Sequence, residues 1–307
     1  MVDSERDRLE AIYTSSRARE LAVKPVEGNF DAPHLREINR RLFQDLPGLG
    51  YTDVAPGEYR PPVEGDGDWY KMRSLEGVAA YSTVAYSRMD DGAKRAIDIT
   101  LDNADPDRLQ HLDTAAFTRE VADLYTRLDY LHPFPDGNSR TLRAFTEQLA
   151  DESGFDLDWS RFAQSQGGRS TLYVARDLSV NRLALNEISS HETQQKVTLT
   201  LDMFEGNRDL GDLLDDAIRP NRAIAFEQLS QVDALAAFPE LGPAYAVLGT
   251  AQEYAKAKLP DNAEGQNQFE ASVRARIQDT LDAGERVDYA VQRSTGQEHG
   301  NDQNDER

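Results

Sequence analysis

Between Tyr130 and Phe145 the sequence YLHPFPDGNSRTLRAF sets a histidine, a carboxylate, a Gly-Asn pair and two arginines close together, where helical periodicity resumes. Each residue type has a job if a nucleotide phosphate binds there. Backbone amides of Gly137, Asn138 and Ser139 at a helix N-terminus lack carbonyl partners, and with the helix dipole they make an anion pocket. Gly137 permits a positive φ and close backbone approach. Arg140 and Arg143, on one helical face, offer two guanidinium forks to phosphate oxygens. Asp136 would repel that phosphate unless a divalent cation lay between them, which argues for magnesium. His132, with an unperturbed pKa of about 6.5, suits the removal of a proton from a hydroxyl near neutral pH. Pro133 and Phe134 fix the loop, Phe134 turned inward as its anchor. Taken singly, each feature has a plainer reading: a His-Pro at a helix end caps or packs, an arginine pair is solvated surface, and Gly-Asn is a turn. Their convergence on one loop points to chemistry.

Two helices must hold that loop. From Asp113 to about Leu131, Phe117, Val121, Leu124, Leu128 and Leu131 fall within about 80° of one another at 100° per residue, and this stripe delivers the chain to His132. Ser139 to Glu152 predicts the next helix, with Leu142, Phe145 and Leu149 on one side and Arg140, Arg143 and Glu147 on the other. Upstream, Leu35, Ile38, Leu42 and Leu46 form a narrow stripe behind an Asp31 N-cap. A shorter, more polar helix is expected before it, ending near Leu21. Pro47 to Trp69 loses all periodicity and predicts a loop or small hairpin, with Asp66-Gly67 as the candidate turn. Ser74 is expected to cap a helix carrying Leu75, Val78 and Ala79 and continuing to about Met89. Another helical pattern covers Leu172 to Ile188, and helical stretches divided by Pro220, Pro239, Pro243 and Pro260 follow. The tail from Ser294 is polar and expected to be disordered.

Composition excludes several function classes. With 55 acidic and 34 basic side chains and a net charge of -21, the chain repels a phosphate backbone, so no direct nucleic-acid surface is expected. No apolar run reaches the roughly 20 residues that cross a bilayer, and the N-terminus lacks a secretory signature. A cytoplasmic protein is expected, with delivery into another cell left open. The absence of cysteine rules out disulfides and thiolate chemistry, and the five scattered histidines predict no structural metal.

HPFPDGNSRTLR resembles the signature of the Fic (filamentation induced by cAMP) family, HxFx[D/E]GN[G/K/S]RxxR, with every charged position filled. GNFDAPHLREINRRLFQDL resembles the family's early helix, PGEYR the segment that opens its target-binding flap, and SGFDLDWSRF the stretch after its active-site helix. The resemblance covers roughly Asn29 to Ile188. It implies an all-α fold: a Fic-type core with a short β-hairpin flap, in a domain over residues 1–190, then a helical C-terminal extension at 191–293 and a tail at 294–307. It further implies a protein adenylyltransferase that moves AMP from ATP to a Ser, Thr or Tyr hydroxyl of a target protein. His132 would be the base, and Asp136 would hold magnesium between the phosphates. Gly137, Asn138 and Ser139 would form the anion hole. Arg140 would grip the β/γ end of ATP, and Arg143 would help hold the γ-phosphate. Ser139 departs from the commonest AMP-transferring pattern, which has glycine there. A lysine at that place accompanies phosphate transfer in the Doc branch.

The resemblance makes Tyr59 to Tyr70 the flap, with Tyr59, Arg60, Trp69 and Tyr70 toward a target backbone added as a strand; an ordinary acidic loop is the other reading. An inhibitory glutamate motif is met only partly by SRARE at Ser16 to Glu20, since Leu21 follows where Gly or Asn should stand. A small antitoxin supplying a glutamate in trans is therefore expected of a toxin or effector of this type. A phosphotransferase on the same fold, or a non-catalytic binding module, are the alternatives.

Overall fold

In the computed structural model, which describes residues 2–65, 67–74, 81–162 and 165–288, the chain opens with α1 (Val2–Val23). This helix is longer than the short one expected. Its grip on its surroundings is largely ionic: Arg17 reaches both oxygens of Asp45 at 2.7 and 2.8 Å, and Arg6 reaches Asp53. Asp31 caps α2 (Ala32–Phe43) by accepting the His34 amide at 3.0 Å. The stripe of Leu35, Ile38 and Leu42 is buried, as its spacing requires.

After a loop, β1 (Trp69–Ser74) pairs antiparallel with β2 (Tyr81–Tyr86), Trp69 opposite Tyr86 and Lys71 opposite Val84. The expected helix from Ser74 to Met89 is overturned, because Tyr81–Tyr86 is a strand; Leu75, Val78 and Ala79 lie outside the described residues, as does Asp66 of the expected turn. YSTVAY is rich in β-branched and aromatic residues, which suit a pleated surface. From Ser82 on it is buried at every position, so the period-2 signal that would have betrayed it is missing.

The rest of the first unit is α3 (Asp91–Leu101), α4 (Pro106–Leu109), α5 (Thr114–Leu131), α6 (Asn138–Glu152), β3 (Phe155–Leu157), α7 (Gln166–Ala184), α8 (His191–Met203), α9 (Leu210–Leu214) and β4 (Ile218–Pro220). β3 and β4 form a second antiparallel pair. α5 packs on α3, α6, α7 and α9, with Phe117, Val121 and Leu128 fully buried. On α6, Leu142, Phe145 and Leu149 are equally buried, and truncating any one would cost about 2–5 kcal/mol. Two rigid helices therefore hold the ends of the loop at residues 132–137.

This unit takes in the chain up to Ile224 together with Asp282–Gly284; the other is built from Ala225–Leu281 and the residues from Glu285. The helix α10 (Asn221–Gln228) spans the division, and α11 (Gln231–Ala237), α12 (Gly242–Lys258) and α13 (Ala263–Asp282) follow. In the second unit Phe226, Leu241, Tyr245, Leu248 and Ile277 are buried. Among the described residues the fold is all-α with two small strand pairs. The expected tail falls outside the described residues, among which no helix is long and apolar enough to cross a membrane.

Candidate active site

α5 ends on His132, whose φ of 46° and ψ of 60° place it in the left-handed region, sparsely populated for a non-glycine residue. The conformation is held from below. The Arg60 amide donates to the Pro133 carbonyl at 2.8 Å, and its Nε to the His132 carbonyl at 2.7 Å. Ser87 donates from its amide to the Tyr130 carbonyl at 2.9 Å and from its hydroxyl to the Leu131 carbonyl at 2.8 Å. Arg60 also donates to the Ser87 carbonyl at 2.6 Å. The carbonyls that a helix C-terminus leaves unpaired are thus satisfied, and the imidazole above them is fixed. Its ring lies 4.2 Å from that of Tyr86 and 5.1 Å from that of Trp69, centroid to centroid. Burial pushes its pKa down to about 4, against the opposing pull of Asp129. Lys71 Nζ sits 3.1 Å from Nε2.

Beyond His132 the loop closes on the Asn138 side chain, whose Oδ1 accepts the Phe134 amide at 2.9 Å and whose Nδ2 donates to the Phe134 carbonyl at 2.7 Å. Phe134 is fully buried, as expected of an anchor. Asn138 therefore serves the pocket through its amide, its side chain being spent on the loop. Gly137 has φ 72°, and a β-carbon there would lie 1.9 Å from Cζ of Phe43, so only glycine fits. The first main-chain bond into α6 runs from the Thr141 amide to the Gly137 carbonyl at 2.9 Å. Amides of Asn138, Ser139 and Arg140 precede it and have no helical acceptor. Asp136 is exposed, and its Oδ1 accepts the Gly137 amide at 2.6 Å.

A cavity of about 380 Å³ opens on these groups, lined by Lys71, Arg73, Asp136, Ser139, Arg143 and Tyr173 among others. The Arg143 guanidinium makes no hydrogen bond or ion pair with another described residue, and burial lowers its pKa. Arg140 is engaged: Glu10 of α1 pairs with it, and its Nη1 donates to Thr14 Oγ1 at 3.1 Å. Glu20, the acid of the partial motif on α1, instead pairs with Arg17 at 2.6 Å.

Among the described residues no cluster of three His, Asp or Glu could hold a metal. Asp136 alone, with one oxygen already on the Gly137 amide, fits a magnesium ion that shares its shell with nucleotide phosphates and water. A cage of protein ligands is not needed.

Placement of the expected flap residues needs correction. The hairpin starts only at Trp69. Tyr59 is half-buried with its ring 5.8 Å from Phe134, and Arg60 is buried, its guanidinium 3.8 Å from the Trp69 ring centroid. Both support the loop, and Arg60 offers no surface. On the hairpin, Trp69 leans on His132, and Tyr70 turns the other way, its hydroxyl accepting from Lys196 at 3.0 Å. Alternation puts Lys71 and Arg73 beside Trp69, facing the cavity. Lys71, Asp129 and Arg176 escape sequence reading. Of the three only Asp129, one helical turn before His132, carries a local signal.

A family model described as Fic/DOC family matches residues 29–150. Over 167 residues, 54% of this chain, the sequence is 30% identical to protein adenylyltransferase VbhT of Bartonella schoenbuchensis, 30% of which is covered. Over 191 residues, 61% of this chain, it is 28% identical to a protein adenylyltransferase of Bartonella henselae, 33% of which is covered. Over 158 residues, 50% of this chain, it is 30% identical to probable protein adenylyltransferase Fic of Escherichia coli, 68% of which is covered. The chain thus spans about a third of the length of the two Bartonella relatives.

Proposed function

The chain belongs to the Fic/DOC family, and from that premise we propose that it is a protein adenylyltransferase, moving AMP from ATP onto a Ser, Thr or Tyr hydroxyl of a target protein. The relatives bear that activity in their names. The observation that carries the reading is the convergence, on one cavity, of His132, the free amides of α6 and the unpaired Arg143.

In the proposed step the target hydroxyl oxygen attacks the α-phosphorus, and its proton passes to Nε2 of His132. The bond from the α-phosphorus to the α,β-bridging oxygen breaks, and pyrophosphate leaves. Amides of Asn138, Ser139 and Arg140 hold the phosphate oxygens. Arg143, and Arg140 once released from Glu10, hold the β- and γ-phosphates. Asp136 would hold magnesium, which neutralises charge on the leaving pyrophosphate. The protein's own share is positioning and charge.

For the target we propose the outer edge of β1. The inner strand, β2, has its far edge closed: Asn181 Oδ1 accepts the Ala85 amide at 3.2 Å and Nδ2 donates to the Thr83 carbonyl at 2.9 Å. Thr200 Oγ1 accepts the Thr83 amide at 3.0 Å. An incoming strand therefore adds to β1, beside Lys71 and His132.

Two restraints belong to the proposal. Glu10 competes in cis with phosphate for Arg140, and a small antitoxin in trans would bring a glutamate to Arg143, whose guanidinium makes no ion pair with another described residue.

Incubation with a target-containing lysate and ATP labelled at the α- or the γ-phosphate tests the reading. Label from the α position alone, lost in His132→Ala, is expected. Label from γ alone would make the protein a phosphotransferase, and a cellular phenotype untouched by His132→Ala would make it a binding module.

A further inference from the structure

His132 Nδ1 is buried and makes no hydrogen bond, yet a carboxylate waits beside it. Asp129 Oδ1 lies 3.8 Å away, on the preceding turn of α5. Asp129 itself is 1% exposed and is held by Arg176 of α7 through three contacts of 3.0, 3.0 and 2.7 Å. Arg176, 3% exposed, has one nitrogen left over. It donates that Nη1 to the Ser139 hydroxyl at 3.0 Å. A buried ion pair thus touches the base at one end and the anion cradle at the other.

The opposite face of the imidazole agrees about where its proton lies. An ammonium group can only donate, so Lys71 at 3.1 Å makes Nε2 the acceptor and leaves the ring proton on Nδ1. We propose that Asp129 and Arg176 are the positioning pair of this site: Asp129, remaining ionised, accepts the Nδ1–H of His132 as a hydrogen bond, so that the Nε2 lone pair, once Lys71 gives it up, meets the entering hydroxyl, and Arg176 ties that carboxylate to Ser139.

The pair rests on the reading of His132 as the base, and it gives Ser139 a reason. A glycine there would keep the amide but lose the bond to Arg176. Asp129 also stays charged: burial pushes its carboxyl up, but Arg176 and the neighbouring His132 more than offset this and hold it below the usual carboxylate range. The other charged or titratable groups around the ring are Lys71 from β1, Tyr86 from β2, Arg60 from the segment before the hairpin, and Asp136 farther along the loop. None of these reaches Nδ1.

The test reads the tautomer directly, by NMR of the full chain carrying ¹⁵N-labelled histidine at neutral pH, with His132→Gln to assign the signal. The native protein should show His132 protonated at Nδ1. A Lys71→Met background is used for both Asp129 variants, so that no ammonium holds Nε2 as acceptor. Lys71→Met alone should keep the proton at Nδ1, whereas adding Asp129→Asn, whose amide can donate to Nδ1, should move it to Nε2 and slow transfer about 10- to 100-fold further at saturating ATP, with ATP affinity little changed. Removing one partner of a buried pair can unfold a protein, so Asp129→Asn combined with Arg176→Gln in the same background, which removes both charges, should show the same tautomer change. His132 remaining protonated at Nδ1 in either Asp129→Asn variant would overturn the assignment. No turnover is needed for this readout, so its failure is separable from a failure of adenylyl transfer itself. Ser139→Ala should leave the tautomer as it is and weaken ATP binding; an unchanged affinity would remove Ser139 from the network.

Discussion

Glu10, on the N-terminal helix, pairs with Arg140 in the first turn of α6, and Thr14 holds the same guanidinium one turn later. A phosphate that binds Arg140 competes with this carboxylate for the guanidinium. Glu10→Gln keeps the shape and removes the charge, and ATP affinity should rise about fivefold, the equivalent of about 1 kcal/mol for a partly exposed pair. Calorimetric titration with a non-hydrolysable ATP analogue measures it. An affinity that falls would mean that Glu10 holds Arg140 in place and does not compete for it.

Gly137 faces the ring of Phe43 at the start of the cradle. A methyl group at this position meets two obstacles, a φ of 72° and ring carbons 1.9–2.7 Å away. Left-handed backbone costs an alanine roughly 1–2 kcal/mol, and overpacking a further ~1–3 kcal/mol. Gly137→Ala should therefore lower the urea midpoint clearly and abolish ATP binding. Adding Phe43→Leu should restore part of the stability, because it makes room for the methyl group but leaves the φ penalty. Full recovery in the double variant would mean that the backbone strain is negligible.

The buried imidazole gives a pH dependence of definite sign. In the unfolded chain His132 titrates near 6.5, in the folded protein at about 4. Between these values the unfolded chain binds a proton that the native state does not, so stability falls as pH drops from 6.5 toward 4. The whole loss is up to about 3 kcal/mol. Denaturant midpoints of the native protein and of His132→Gln should converge or cross over this range, the variant losing less. The acid limb of kcat/KM should likewise lie well below the ordinary imidazole value. A limb near 6.5 would show that the base is not the buried imidazole of the free protein.

Where one short stretch determines structure, the sequence could be read. Asp31 and Asp113 cap α2 and α5 with their own side chains, accepting amides at 3.0 and 2.7 Å, and the apolar stripes of α2, α5 and α6 became the core. His132, Asp136, Ser139, Arg140 and Arg143 line one cavity. What escaped depends on distant partners. β2 is a strand because Asn181 and Thr200, far along the chain, complete its hydrogen bonds. Arg60 resembles a surface arginine until the carbonyls at the end of α5 are placed above it. α1 has too weak an apolar face to announce its length, since several of its ties are ion pairs. The strands β3 and β4 lie some sixty positions apart, and nothing local announces their pairing.

Asn181 replaces a neighbouring strand, and its loss should separate target handling from nucleotide binding. It is fully buried, and its amide group takes up the Ala85 amide and the Thr83 carbonyl that β2 would otherwise leave unpaired. Asn181→Leu fills similar volume but strands both groups, at about 1–3 kcal/mol each. That cost falls on the hairpin, while the anion cradle rests on α6 and its fixing residues Asn138 and Phe43. Hydrogen exchange at Ala85 should quicken, KM for the target should rise, and ATP affinity should stay within about twofold, below ~0.4 kcal/mol. Lys71 and Trp69 ride on the same hairpin beside His132, so kcat should fall as well, through a base less well enclosed. Faster exchange at Ala85 with both target KM and kcat unchanged would mean that the hairpin takes no part in presenting the target, and the edge of β1 would have to be abandoned as the docking strand.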